Sequence, residues 1–290
     1  MSAREQGKGR YTIRVVERAI DVLRLLSDGE PRLLAQVSGG VGLHSSTTFR
    51  VLATLALRNL VERDERTGQY SLGIATLELA RAYQDTNYLR RIALPVLQRL
   101  RDDTGETVHL AVLENMDVVY LDKQQSFRAV GIMSSQVGVR LPAYCTGLGK
   151  VLLAFADQDR VADYLASARL PRLTDTTITA ADSLLRELDR IRKRGYGFDR
   201  GEREAEIRCV AAPIIGRQGE LPSAISVAGP ASRMEPLETN RKLIDQVVSA
   251  ARTISAALGY RQEHQPHSHD GQHRAYLTPG KGGEREDMRL

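Results

Sequence analysis

Residues 33–72 constrain the fold of this chain more than any other segment, because their parts match the components of one small structural unit. A short apolar stretch runs into residues 38–42, where three glycines predict a tight turn between two helices. Residues 44–55 then carry apolar side chains at helical spacing. Two alternating stretches around Thr67 and Gly68 predict a hairpin. This order predicts a winged helix-turn-helix, a unit that places its second helix in the major groove of DNA.

An upstream helix would give this unit a core. Residues 15–27 predict a helix that ends before Gly29 and Pro31. Three helices closed by a hairpin bury more apolar surface than a helix pair alone. This favours a DNA-binding domain over a small packing unit, which is the alternative for any isolated helix-turn-helix match. The predicted buried stripe consists of Val16, Ile20, Leu23 and Leu26.

The helix predicted at residues 44–55 carries small hydroxyls and a cation on the face opposite its apolar stripe. These side chains can reach phosphates and base edges. The predicted hairpin adds two arginines near its tip. The residues predicted to contact double-stranded DNA are Ser45, Ser46, Thr47, Phe49, Arg50, Arg63 and Arg66.

Length and composition agree with a DNA-binding protein of two domains. The 290 residues allow two cores. A net charge of +5 and a pI near 9.3 permit nucleic-acid binding without proving it. The sequence lacks both an apolar run of about 18 residues and an apolar signal core, so we expect neither membrane insertion nor export. The two cysteines, Cys145 and Cys209, fit a reducing cytoplasm.

Two helices are predicted after the hairpin, at residues 74–83 and 89–103, with Asp85 or Thr86 as the cap of the second. From residue 105 the pattern changes to strands alternating with helices, and we expect an antiparallel sheet covered by helices. Strands are predicted at 107–113, 118–121, 130–134, 208–215 and 223–228, and helices at 146–155, 159–166, 182–194 and 236–258.

The order and spacing of several short motifs are together specific, although no single motif is. Over residues 11–260 the chain resembles the IclR-type bacterial transcription regulators. The motifs that carry the resemblance are AIDVL at 19–23, ST at 46–47, RVLATL at 50–55, YSLG at 70–73, LPAYCTGLGK at 141–150, RGY at 194–196, RCVAAP at 208–213 and SVAGP at 226–230.

The resemblance implies an α+β protein: an N-terminal winged helix-turn-helix, linker helices, and a C-terminal GAF-like domain that binds an effector. It implies a cytoplasmic repressor or activator that acts as a homodimer or homotetramer. The predicted domain limits are 1–10 for a flexible arm, 11–73 for the winged domain, 74–90 for the linker helix, 91–260 for the sensor domain and 261–290 for a disordered tail.

The resemblance also implies that a small organic acid binds in the C-terminal domain. From the residues alone, Gly147 and Gly149 at a helix start either hold an anion or let the helix pack closely on the sheet. Some relatives have a second serine where this chain has Ala228, which favours a less polar or larger acid. The implied effector-binding residues are Val130, Met133, Cys145, Gly147, Leu148, Asp199, Ile207, Cys209 and Ser226.

Two other interpretations of the C-terminal half stay open. In the first, the C-terminal half is a scaffold for dimerisation alone. In the second, it is a Cys–His hydrolase that uses Cys145 and His109. The sequence offers no third orienting group for a hydrolase, so we expect a protein that is not an enzyme and needs no cofactor. The four tail histidines predict either a solvated tail or a metal site, and a metal site normally needs an ordered scaffold. They are His264, His267, His269 and His273.

Overall fold

The computed structural model describes residues 12–128, 133–216 and 222–260. The helices are α1 (Arg14–Leu25), α2 (Leu34–Val41), α3 (Ser45–Ala56), α4 (Ala75–Thr86), α5 (Tyr88–Thr104), α6 (Gly147–Ala154), α7 (Gln158–Ser167), α8 (Ala181–Arg194), α9 (Ala231–Met234) and α10 (Arg241–Ala257). The strands are β1 (Val61–Arg63), β2 (Tyr70–Leu72), β3 (Thr107–Glu114), β4 (Asp117–Gln124), β5 (Arg140–Pro142), β6 (Gly197–Asp199), β7 (Ile207–Ile214) and β8 (Ser223–Pro230).

The N-terminal part is a winged helix-turn-helix, as predicted. Helices α1, α2 and α3 pack around one apolar cluster, and the antiparallel pair β1–β2 closes it. The predicted turn at 38–42 is wrong, because α2 continues to Val41 and only Gly42 adopts the left-handed conformation that ends it. A Cβ atom on Gly40 would lie 2.7 Å from Leu25. The glycine therefore serves the close approach of α1 rather than a turn.

The buried stripe of α1 differs from the prediction in its first half. Val22 and Leu26 are buried, and Leu23 is partly buried against the same cluster. Val16 and Ile20 are 49% and 43% exposed. These two side chains lie on the first turns of α1, outside the cluster that α2, α3 and the hairpin form, so the described part of the chain leaves them uncovered.

The linker helices differ from each other in burial. No residue of α4 is buried, and its Leu77 and Leu79 side chains are exposed. Helix α5 buries Ala93, Leu97 and Leu100 against the sheet. The cap of α5 is Asn87 and neither of the predicted residues, since the Asn87 side chain accepts the Arg90 N–H at 2.9 Å.

The C-terminal part is an antiparallel sheet with helices on both faces, as predicted. Its six strands have the order β5-β4-β3-β8-β7-β6. Helices α5 and α10 pack on one face, and α6 and α8 pack on the other. The alternation of side chains along β3 divides them between these two cores: Leu110 belongs to one and Ala111 to the other. The core between the sheet and helices α6 and α8 is open at one edge, where a cavity lies.

Several predicted elements are corrected. Strands β5 and β6, of three residues each, were not predicted. Of the strand predicted at 130–134, residues 130–132 lie outside the described residues, and Met133 and Ser134 are not in a strand. The helix predicted from residue 236 begins at Arg241, where the Asn240 side chain accepts the Leu243 N–H.

The predicted arm at 1–10 and the tail at 261–290, with its four histidines, lie outside the described residues. Within the described ranges, no helix combines the length and the apolar character needed to cross a membrane.

Candidate nucleic-acid interface and ligand cavity

Helix α3 separates a packing face from an exposed face. Thr48, Leu52 and Leu55 point into the apolar cluster of the winged domain. Residues four positions apart share a face of a helix, whereas residues two positions apart fall on nearly opposite faces, as the helical period requires. Of the residues predicted to read DNA, Thr47 is half-buried and the others on this helix are exposed: Ser45, Ser46, Phe49 and Arg50. The helix therefore presents hydroxyls, one aromatic ring and one guanidinium on a single surface.

The wing, the hairpin that follows α3 in sequence, adds two cations, Arg63 and Arg66. The Asp64 carboxylate accepts the backbone N–H groups of Arg66 at 2.7 Å and Thr67 at 3.1 Å, and these bonds lower the pKa of Asp64. This local network holds the hairpin turn. Arg63 and Arg66 are both exposed, and the Arg63 guanidinium lies 5.7 Å from the centre of the Tyr70 ring. Both remain candidates for phosphate contacts.

The C-terminal domain encloses a cavity of about 50 Å³ between the sheet and the start of α6. Of the implied effector residues, Val130 lies outside the described residues. Cys145 does not line the cavity: it is buried in the turn before α6, with its thiol 3.5 Å from the Pro142 carbonyl oxygen. The seven that do line it are Met133, Gly147, Leu148, Asp199, Ile207, Cys209 and Ser226.

Sequence reasoning missed more than half of the cavity lining. The pairing of the strands would have identified one of the missed residues, because His109 on β3 pairs directly with Ser226 on β8. Residues paired across two strands have neighbouring side chains, so the partner of a proposed site residue is itself a candidate for the site. The register itself was not deducible from the sequence. The polar side chains that line the cavity and were not predicted to do so are His109, Tyr120, Ser134, Ser135, Thr146, Arg203 and Glu204.

His109 connects two serines in the cavity wall. Its Nε2 atom lies 2.9 Å from the Ser135 hydroxyl, and its Nδ1 atom lies 3.4 Å from the Ser226 hydroxyl. Burial lowers the pKa of His109 to about 3, with a smaller contribution from the positive charge of Lys123. The imidazole is therefore neutral at pH 7, with one nitrogen as donor and the other as acceptor.

The start of α6 combines tight packing with internal hydrogen bonds. A Cβ atom on Gly147 would lie 2.9 Å from the Cys209 sulfur, and one on Gly149 would lie 2.1 Å from the Ala143 carbonyl oxygen. Glycine is thus required at both positions for packing. The Thr146 hydroxyl accepts the Gly149 N–H at 2.9 Å. Burial raises the pKa of Asp199, and the nearby Gly147 N–H is among the groups that oppose this rise.

Neither cysteine has the properties of a nucleophile. Burial raises the pKa of Cys145 to about 11, and the charge of Arg203 only partly opposes this shift. Burial also raises the pKa of Cys209. Both thiols are protonated at pH 7, whereas the thiolate is the reactive form. His109 makes its hydrogen bonds to serines, so it is not placed as the general base of a Cys–His pair.

A winged helix-turn-helix joined by linker helices to a sheet domain with a small cavity is the architecture of a two-domain transcription regulator. Two family models match the chain. The IclR helix-turn-helix domain matches residues 15–65, and the bacterial transcriptional regulator IclR C-terminal domain matches residues 81–256. The chain belongs to the IclR family of bacterial transcriptional regulators. Membership confirms the expected family and the prediction of a regulator rather than an enzyme.

Similar proteins align with the chain over most of their length. The regulator KdgR of Escherichia coli is 35% identical over 248 residues, which cover 84% of this chain and 92% of KdgR. The regulator BhcR of Paracoccus denitrificans is 34% identical over 251 residues, 87% of this chain and 89% of BhcR. A crystal structure of an IclR homologue complexed with 4-hydroxybenzoate, from Microbacterium hydrocarbonoxydans, has a TM-score of 0.71 and 27% identity, and covers 84% of this chain and 99% of its own.

Proposed function

We propose that the protein is a cytoplasmic, sequence-specific regulator whose affinity for a double-stranded DNA operator is controlled by a small organic acid. The cavity beside α6 carries this proposal, because it brings together seven residues that the resemblance assigned to effector binding. A homologue that was crystallised with 4-hydroxybenzoate supports an acid as the class of ligand.

The cavity volume bears on the size of the acid. A volume of about 50 Å³ is small for an organic ligand, since one water occupies about 30 Å³ in the liquid. Ala228 lines the cavity with a methyl group. From the sequence, this alanine favoured a less polar or larger acid. The volume favours a small acid.

The assembly we propose is a homodimer, or a homotetramer built from such dimers. Helix α4 has no buried residue, and its apolar side chains Leu77 and Leu79 are 64% and 65% exposed. Ile13, Val16 and Ile20 form a second exposed apolar group on and just before α1. A second copy of the chain would cover such surfaces, and a dimer reads the two halves of a palindromic operator. The proposed functional limits remain 11–73 for the winged domain, 74–90 for the linker and 91–260 for the sensor.

The test begins with an operator selected from random duplexes by the full-length protein. Titration of that duplex with and without small organic acids then measures whether any acid changes DNA affinity. A thermal shift with the same acids reports binding separately, since a ligand of the native state raises the melting temperature. An acid that binds without changing DNA affinity would favour the dimerisation scaffold instead.

A further inference from the structure

A second cavity, of about 310 Å³, lies beside α8 in the C-terminal domain. Its wall is formed by the loop before α8, by α8 itself and by the segment that follows β6. Among the described residues, none lines both cavities. The segment after β6 separates them, since Arg203 and Glu204 line the cavity beside α6, whereas Arg200 and Glu202 line this one. The proposed function makes no use of the second cavity.

Glu202 holds a buried carboxylate that is only half satisfied. Its side chain is 2% exposed, and Oε1 pairs with the ammonium group of the fully buried Lys150. Oε2 has no hydrogen-bond partner among the residues that the structure describes. Buried carboxylate oxygens normally accept a donor, because leaving one unsatisfied is costly. Since Glu202 lines the cavity, a bound molecule can supply this donor. A neutral hydroxyl suits the position better than an ammonium group, which the charge of Lys150 would repel.

Three arginines line the same cavity: Arg186, Arg190 and Arg200. Arg190 donates to the Glu187 carboxylate at 3.0 Å, and the Arg200 guanidinium lies 3.8 Å from that carboxylate. Arg200 also pairs with Glu238 at 2.7 Å. Because a guanidinium carries five N–H donors, these contacts leave N–H groups for a ligand.

Arg186 is the most available of the three arginines. It is exposed, and its Nη2 atom donates to the Ser183 hydroxyl at 3.0 Å. Within residues 12–128, 133–216 and 222–260, no carboxylate oxygen lies within 4.0 Å of its guanidinium. Arg186 and Arg190 are four residues apart on α8, so they share one face of the helix. A phosphate group, with up to two charges and three acceptor oxygens, can bind two guanidiniums at once.

We propose that this second cavity binds a small phosphorylated polyol, with its phosphate on Arg186 and Arg190 and a hydroxyl donating to Oε2 of Glu202. The arginines require a negative charge and the buried carboxylate requires a donor. A simple carboxylate lacks the donor, and a neutral sugar lacks the charge. The volume lies at the lower end of the range for ligand pockets, about 300–1,000 Å³. This site is additional to the acid cavity beside α6 and does not depend on it.

Calorimetric titration of the full-length protein with glycerol 3-phosphate, ribose 5-phosphate and glucose 6-phosphate tests the proposal. Each ester is compared with its parent polyol, which lacks the charge, and with methyl phosphate, which lacks the polyol hydroxyls. We expect at least one ester to bind. Its parent polyol and methyl phosphate should each bind about 10-fold or more weakly, because each loses hydrogen bonds to a charged group.

Two variants of α8 locate the ester. Arg186→Gln should weaken it by about 10-fold or more, and the variant should fold because this side chain is exposed. Lys193→Gln is the matched control: it removes one exposed positive charge from the same helix at a residue that does not line the cavity. Its affinity for the ester should equal that of the wild type.

Three results would overturn the proposal. The first is that none of the esters binds the wild type. The second is that Arg186→Gln binds the ester as tightly as Lys193→Gln does, which would place the ester elsewhere. The third is an ester affinity equal to that of the polyol or of methyl phosphate, a comparison that needs no variant. None of these results decides whether an organic acid binds beside α6, so the proposed function is tested separately.

Discussion

His109 illustrates how burial determines the chemistry of a single side chain. It lies between Ser135 and Ser226 and forms an edge-to-face contact with the Tyr120 ring, whose centre is 5.4 Å away. None of these contacts is a carboxylate, so a protonated imidazole would lack a negatively charged partner among them. The neutral ring therefore belongs to the native state, and its protonation opposes folding.

The pH dependence of stability tests this account of His109. Its folded pKa, about 3, lies below the ordinary value of 6.5, so the unfolded state binds the proton first as pH falls. Stability should therefore decline below pH 6.5, by up to about 1.4 kcal/mol per pH unit from this group. His109→Asn should remove that part of the decline.

Urea unfolding of the wild type and His109→Asn at pH 7 and pH 5 gives the measurement. The difference between the two pH values should be about 2 kcal/mol smaller in the variant. Equal acid sensitivity in both proteins would show that His109 does not titrate on unfolding.

At the scale of elements, residue patterns predicted what depends on local sequence. The left-handed residues Asn115 and Met116 give the turn between β3 and β4, which correspond to the strands predicted at 107–113 and 118–121. The glycines before α3 were misread because Gly40 is required by its contact with Leu25, which is distant in sequence. Strands β5 and β6 have only three residues and exist through pairing with β4 and β7, so no alternation was visible.

The candidate cavity was predictable only in part for the same reason. The resemblance supplied residues on α6, β7 and β8. His109, Tyr120 and Arg203 come from three separate segments that the sheet and the loop after β6 bring together. Such a convergence depends on register and loop path, which no local pattern encodes.

Helix α3 and the wing should make different contributions to DNA binding. Arg50 lies on the exposed face of α3, so Arg50→Ala should weaken binding to the selected operator by about 1–3 kcal/mol and relax specificity. Arg66 lies in the wing turn, so Arg66→Ala should weaken binding to all duplexes and reduce the salt dependence. Gel-shift titrations at several salt concentrations measure both effects. Unchanged affinity in both variants would mean that another surface reads the DNA.

At the scale of the whole molecule, contacts lead from the cavity to the linker. Ser135 lines the cavity, and its carbonyl accepts the Lys123 ammonium group at 2.6 Å. The next residue back along β4, Asp122, is buried and pairs with Arg90 of α5 at 2.6 Å. Helix α5 follows α4 directly. A ligand that shifts this wall therefore has a short route to the helices that precede the sheet, provided it binds two arrangements unequally.

A flexible spacer of glycines inserted after Gln84, within α4, tests that route. We expect the sensor domain to keep its ligand affinity and the winged domain to keep part of its DNA affinity. The effect of the acid on DNA affinity should be lost, because coupling requires a connected element with two arrangements. If the acid still changes DNA affinity by the wild-type factor, direct contact between domains carries the coupling.

The central claim is that an acid in the cavity controls DNA binding, and Ser226→Ala tests it most directly. Ser226 is buried in the cavity wall and lies far in sequence from the winged domain. Operator titrations by fluorescence anisotropy, without acid and over a series of acid concentrations up to saturation of the wild type, give the DNA affinity of each protein. We predict a change of about 5-fold or more for the wild type. For Ser226→Ala we predict equal ligand-free DNA affinity and a weaker response to the acid. A wild-type DNA affinity that no bound acid changes would contradict the account.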